Sequence, residues 1–224
     1  FGLPGRLRAA GNQVMVAQMT PWQTIEKRSQ QLKEQIEREF PDAEKVNLIG
    51  HSMGGLDARF LTSYLGFGSR VASVTTIGTP NRGSTIGDMA TGLLPDRAFD
   101  LADQLLKFMD SSSSSVKQIT TEFVTKKFAE QAPDVPGVSY FSATSAIRNP
   151  IFIYSLPIFW VTHELLKRYE GDNDGFVSVE SAKWGEHIVT DFGDHYAQVG
   201  HFFGHSRGMD YVGFQNQIFK RLNR

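Results

Sequence analysis

The chain has 224 residues, of which 40% are hydrophobic and 12% aromatic, enough for one domain with a well-buried core. Its formal net charge is −1 with both signs dispersed, which leaves no electrostatic footprint for a nucleic acid or an anionic membrane. Cysteine is absent, so disulfides, thiol catalysis and cysteine-held metals are excluded, while either redox compartment stays open.

The chain starts Phe1-Gly2-Leu3-Pro4-Gly5-Arg6, with no apolar stretch of signal-peptide length, as expected of a cytosolic protein or one already processed. Gln13 to Ala17 (QVMVA) follows the turn signal Gly11-Asn12 and predicts a strand. Thr24 is placed to cap a helix carrying Ile25, Leu32, Ile36 and Phe40 on one face, and Pro41-Asp42 ends it. Val46 to Ile49 predicts the next, buried strand. After it Met53, Leu56, Phe60 and Tyr64 recur at helical spacing, and Val71 to Ile77 predicts a third strand closed by Gly78 and Pro80. Strands alternating with helices imply right-handed crossovers, hence an α/β fold with a mostly parallel sheet covered on both faces.

From Ser84 the rhythm changes to short helical pieces with wide apolar faces, among them Leu93, Leu94, Phe99, Leu105, Leu106 and Phe108. The serine run Ser111 to Ser115 reads as a flexible, solvated link, and Val116, Ile119, Phe123 and Phe128 mark a helical piece beyond it. Val138 to Ser142 resumes the strand pattern. Ile151 to Val161 is apolar but broken by Ser155 and Pro157, well short of the ~20 residues that span a bilayer, so no transmembrane segment is predicted. His187 to Asp191 is the candidate last strand, and Tyr211 to Leu222 a closing helix. The expectation is a single domain over residues 1–224 with five strands, a helical insertion at about 84–135 and a second apolar one at about 149–170.

Gly50-His51-Ser52-Met53-Gly54 meets the pattern Gly-x-Ser-x-Gly at a strand-to-helix junction. Small flanking residues let the strand turn sharply into the helix, leaving the serine strained and its hydroxyl exposed above the sheet. The helix N-terminus aims its dipole at the same place, which makes the Met53 N–H a candidate oxyanion donor. A serine nucleophile needs a base and the base an orienting carboxylate, which this kind of elbow takes from downstream in that reverse order, acid then histidine. Asp174, in the turn-forming Asn-Asp-Gly, is one candidate acid and Asp172 its competitor. His195 follows the last candidate strand, with His201, His205, His187 and His163 as rivals. The alternative reading at this stage is an inert serine in a glycine-rich turn.

The segments VNLIGHSMGGLDARF, VTTIGTPNRGS, NDGFVSVESAKWG and DHYAQVG together resemble the bacterial triacylglycerol lipases of the α/β-hydrolase superfamily, the true or family I lipases. The resemblance covers about residues 45 to 85 and 171 to 200 and implies an α/β-hydrolase fold, with Ser52 as nucleophile, Asp174 as acid and His195 as general base. It also implies a helical lid, for which the excursion from Ser84 is the place, and a lipid or ester substrate met at an oil-water interface. Leu93, Leu94, Phe99, Leu105 and Phe159 are the candidate substrate-binding residues, because these insertions carry more large apolar side chains than a simple covering layer needs. No cofactor is expected. The family's structural calcium uses Asp and Gln positions that read Ala197 and His201 here. Thr-Pro-His-Arg-Gly in the family reads Thr79-Pro80-Asn81-Arg82-Gly83. Leu3 to Ala10 reads as the helix that follows the family's first strand and His-Gly oxyanion loop, so the expectation is that those pieces precede Phe1. Losing one oxyanion donor typically costs ~100- to 1000-fold in turnover. Secretion is favoured by the resemblance alone. A short-chain esterase, thioesterase or phospholipase would use the same residues, and a non-catalytic interaction protein on this scaffold is the alternative of another class.

Overall fold

The structure, a computed structural model, describes residues 2–21, 23–91, 114–148, 158–200 and 209–222, without the side chains of residues 158 and 159. In chain order the helices and strands are α1 (Leu3–Ala9), α2 (Ile25–Glu39), β1 (Val46–His51), α3 (Met53–Thr62), β2 (Val71–Ile77), α4 (Thr85–Ala90) and α5 (Ser114–Lys117). A π-helical stretch (Phe123–Phe128) then leads into α6 (Ala129–Gln131), followed by β3 (Ser139–Ala146), α7 (Ile158–Tyr169), α8 (Val179–Ala182), β4 (Glu186–Phe192) and α9 (Tyr211–Leu222).

The four strands form one parallel sheet in the order β1-β2-β3-β4, so each neighbouring pair needs a crossover, and helices cover both faces. On one face Leu32 and Ile36 of α2 and Ala58 and Leu61 of α3 pack with Leu48, Val71 and Val74. On the other, Phe214 and Ile218 of α9 pack with Ile77, Ala143 and Ala197. A third cluster joins Ile25, Leu56 and Phe60 to Ile86, Val116, Ile119 and Phe128, and so fastens the helical insertion to the body. Thr24 caps α2 as its sequence implies, accepting from the Lys27 N–H at 3.3 Å. Among the described residues no helix is long and apolar enough to cross a membrane.

Three expectations need correction. Gln13 to Ala17 is not a strand, and among the described residues the sheet has four strands instead of five. The segment alternates as a strand does, with Met15, Ala17 and Met19 against the core and Val16 exposed. Its polar partners, however, are side chains: Arg8 donates to the Val14 carbonyl at 2.8 Å, and Gln35 both accepts from and donates to the Gln18 backbone. Alternation reports which side faces the core, whereas a strand also needs a ladder. The second correction is the length of β3, which runs to Ala146 because Ser142, Thr144 and Ser145 are fully buried between the two helical layers. The third is the serine run: Ser111 to Ser113 lie outside the described residues, but Ser114 opens α5 and Ser115 is buried, not solvated.

Candidate active site

β1 passes into α3 through Ser52, whose φ of 54° and ψ of −131° make it the one non-glycine residue with positive φ among the described residues. Such a conformation costs on the order of 1–3 kcal/mol and persists only where the surroundings enforce it. Here the Ser52 N–H donates to the Ile77 carbonyl at 2.9 Å, and its carbonyl accepts from Gly55 at 3.1 Å. A Cβ at Gly50 would stand 2.3 Å from the Gly54 carbonyl oxygen, so no side chain fits there. At Gly54 a Cβ would meet no described atom within 4 Å; of the two flanking glycines, the surroundings require the first. Met53 opens α3, where helix geometry supplies no acceptor for its N–H.

The acid turn is held from several sides. The Asn173 side chain accepts from His163 Nδ1 (3.0 Å) and the Gly175 N–H (2.9 Å), and donates to the carbonyls of His163 (3.2 Å) and Gly171 (2.9 Å). Its backbone carbonyl takes the Ile147 N–H just past β3. Asp174, fully buried, then accepts at Oδ1 from the backbone of Phe176 (2.9 Å) and Val177 (2.7 Å), and at Oδ2 from His195 Nδ1 and Gln198 Nε2, both at 2.8 Å. Burial works to raise this carboxyl, but His195 and the backbone donors outweigh it and hold it below the usual carboxylate range.

His195 follows β4, and its backbone N–H donates to the Asp174 carbonyl at 2.8 Å. Its ring packs against those of His51, with centroids 4.6 Å apart, and Phe176, at 5.4 Å. His51 Nε2 donates to the His195 carbonyl at 2.9 Å. With the proton on Nδ1 directed at Asp174, the neutral imidazole keeps its Nε2 lone pair. Ser52 and His195 line a single pocket together with Met53, Pro80, Ser84, Ser115 and Phe176.

The rivals lie elsewhere. Asp172 is exposed. His187 bonds Ser142 (3.1 Å) and Thr190 (2.8 Å) within the sheet, and His163 holds Asn173. His201 and His205 lie outside the described residues, as do Leu93, Leu94, Phe99 and Leu105; Phe159 is on α7, its side chain likewise outside. Ser84 and Ser115 carry no sequence signal of a pocket role, being serines in a loop and a serine run. The sequence reading also missed the post behind α3. There Arg59 lies 3.6 Å over the Trp184 ring and donates to Asn81 Oδ1 (3.1 Å), and Asn81 Nδ2 donates to the Ala182 carbonyl (3.0 Å). Burial brings this guanidinium down to about 10. Asn81, in the position where the family has His, is thus a structural link between α3, β2 and α8.

Of the two positions that hold calcium in the family, Ala197 is a buried methyl in the apolar cluster with Ile77 and Phe214 and offers no side-chain ligand, and His201 lies outside the described residues.

A parallel sheet with a strained serine between strand and helix, and an Asp–His pair on the loops after later strands, is the architecture of an α/β-hydrolase. Comparison with known proteins narrows this. The PGAP1-like alpha/beta domain family matches residues 13–145, and the chain belongs to it, within the lipases of the α/β-hydrolase superfamily. Triacylglycerol lipase 2 of Saccharomyces cerevisiae is 32% identical over 85% of this chain, and the match spans 58% of that protein. A triacylglycerol lipase of Vibrio cholerae is 31% identical over 85% of this chain and 70% of its own length. In fold, the chain resembles the Staphylococcus hyicus lipase, with a TM-score of 0.71 at 17% identity over 98% of this chain and 87% of that one.

Proposed function

We propose that the chain hydrolyses carboxylic esters of lipids, triacylglycerols foremost, through an acyl-enzyme on Ser52. The observation that carries this reading is the buried 2.8 Å bond between His195 Nδ1 and Asp174 at the pocket that Ser52 also lines. His195 Nε2 takes the hydroxyl proton as Ser52 Oγ attacks the ester carbonyl carbon, and Asp174 holds the tautomer and stabilises the imidazolium. The Met53 N–H donates to the oxyanion. Collapse of the tetrahedral intermediate expels the alcohol, protonated by His195. Water then attacks the acyl-enzyme carbonyl as His195 takes its proton, and the second tetrahedral intermediate breaks its bond to Ser52 Oγ, which His195 reprotonates as the carboxylic acid leaves.

A lipid substrate is supported by the relatives, which are named triacylglycerol lipases, and by apolar surface near the site. Met53, Pro80, Ile119, Phe176 and Val177 are among the residues that line the pocket. Ser84, Ser115 and Ile119, from the segment at about 84–135, line the pocket, which suits a cap at the acyl site.

The test is hydrolysis of p-nitrophenyl esters from acetate to palmitate, dissolved and emulsified, with Ser52→Ala alongside. Activity that rises with chain length and vanishes in Ser52→Ala is the expected result. Activity confined to short soluble esters would make the protein an esterase, and the absence of Ser52-dependent hydrolysis at every length would overturn the reading.

A further inference from the structure

Gln198 sits on the short turn Ala197–Val199 that follows His195, and it is 2% exposed. Its Nε2 gives one N–H to Asp174 Oδ2 and the other to Ser145 Oγ of β3, each at 2.8 Å. Its Oε1 is buried with no partner among the described residues. Rotating the amide by 180° would set Oε1 against the Asp174 carboxylate, so the carboxylate dictates the orientation. Space for the bare carbonyl comes from Gly78, where a Cβ would lie 2.1 Å from Gln198 Oε1 and 3.1 Å from Asp174 Oδ2, at a φ of +52°. An apolar side chain of the same volume would fill this socket without an orphan carbonyl, but would take one donor from Asp174 and one from Ser145. The amide instead leaves its own carbonyl unpaired and places a neutral N–H on the oxygen that holds His195.

We propose that Gln198 is a positioning residue for the hydrolysis described above: its N–H shares Asp174 Oδ2 with His195, fixes the carboxylate in the rotamer that meets Nδ1, and draws part of that oxygen's charge away from the imidazole. The inference rests on the Ser52–His195–Asp174 reading and deepens it. Without the donor, Oδ2 turns its full charge on His195, and the ring keeps its second proton to higher pH. Among the described residues the other titratable groups adjoining His195 are His51, Asp194 and Tyr196, and they are the same in wild type and variant.

The experiment compares wild type, Gln198→Met and Ser145→Ala in three readouts: the pH profile of kcat/KM, thermal stability, and the far-downfield proton resonance of the His195 Nδ1–H. In Gln198→Met, KM stays within about twofold and kcat falls about tenfold. The acid limb of kcat/KM rises by about half a pH unit, the resonance moves downfield, and Tm changes little because the removed orphan carbonyl offsets the lost bonds to Asp174 and Ser145. Ser145→Ala, which removes one anchor of Nε2, shifts rate and resonance the same way by less. A purely structural glutamine would lower Tm and leave the limb and resonance in place, which overturns the proposal. If Gln198→Met fails to fold, Ser145→Ala decides by the same readouts. Wild type without Ser52-dependent turnover defeats the hydrolase reading by itself, whereas an unmoved resonance in a folded Gln198→Met defeats the positioning role whatever the turnover.

Discussion

Ser52 and His195 reach the same pocket by opposite means. The serine is set by main chain: a positive φ, a strand that ends at the Ile77 carbonyl, and a Gly50 with no space for a methyl. The histidine is set by side chains: a buried carboxylate with four donors, an asparagine with all four of its bonds made, and rings packed against it. A backbone device fails when volume is added, and a polar network fails when a donor or acceptor changes sign.

The largest expected effect lies on the polar side. In Asp174→Asn the Oδ1 position still accepts from Phe176 and Val177, which turns the new NH2 toward His195 and Gln198, both donors. The imidazole then loses its tautomer, and kcat falls by about 10³- to 10⁴-fold with KM little changed, as single-turnover kinetics would show. Next comes Gly50→Ala, whose methyl must displace the Gly54 carbonyl. It costs on the order of 3 kcal/mol of stability, read by urea unfolding, and lowers activity in whatever fraction still folds. If Gly50→Ala were neutral in both, the main-chain account of Ser52 would be wrong.

A smaller effect sharpens the comparison through two buried aspartates. Asp57, on the elbow helix, gives one oxygen to Arg28 (2.7 Å) and leaves Oδ1 without a partner among the described residues, so burial pushes it up to about 6. Asp174, with donors on both oxygens, is pushed down. The signs are opposite. Asp174 contributes stability above the unfolded carboxylate value of about 4, and that contribution is lost as pH falls through its depressed native value. Asp57 favours the folded state when protonated, and that advantage fades as pH rises from about 4 to about 6. Asp57→Asn should therefore gain on wild type by on the order of 2 kcal/mol between pH 4 and pH 7, read from denaturation midpoints at each pH. A pH-independent gap would show that Arg28 compensates the burial completely.

The same contrast governs what the sequence discloses. The elbow was legible because strained main chain recruits glycine, and glycine beside serine at a strand-to-helix junction is rare. β2 and α9 were legible to the residue, because Val71–Ile77 and Tyr211–Leu222 are bounded by turn residues and carry clean apolar faces. Gln198 was not, since a lone glutamine after a histidine has no pattern and its role comes from Asp174, 24 residues away. Asp57 and Arg59 look like the solvent side of a helix, yet both are buried. The signal was there in MGGLDARFLT, where no stretch of the helix is polar enough to face water. β3 was cut short because buried serines and threonines read as a loop when apolar character alone is followed.

The amide of His195 is donated to the carbonyl of Asp174, so the proposed acid and base are joined along the main chain as well as between side chains. That proton serves as a clock on the site. Its exchange with solvent counts how often the acid loop and the histidine loop part company, and does so in the resting protein, with no substrate present. Exchange as slow as that of the β2 and β3 amides would mean that the pair opens only when the whole domain does, so that Asp174 and His195 stand assembled before any ligand arrives.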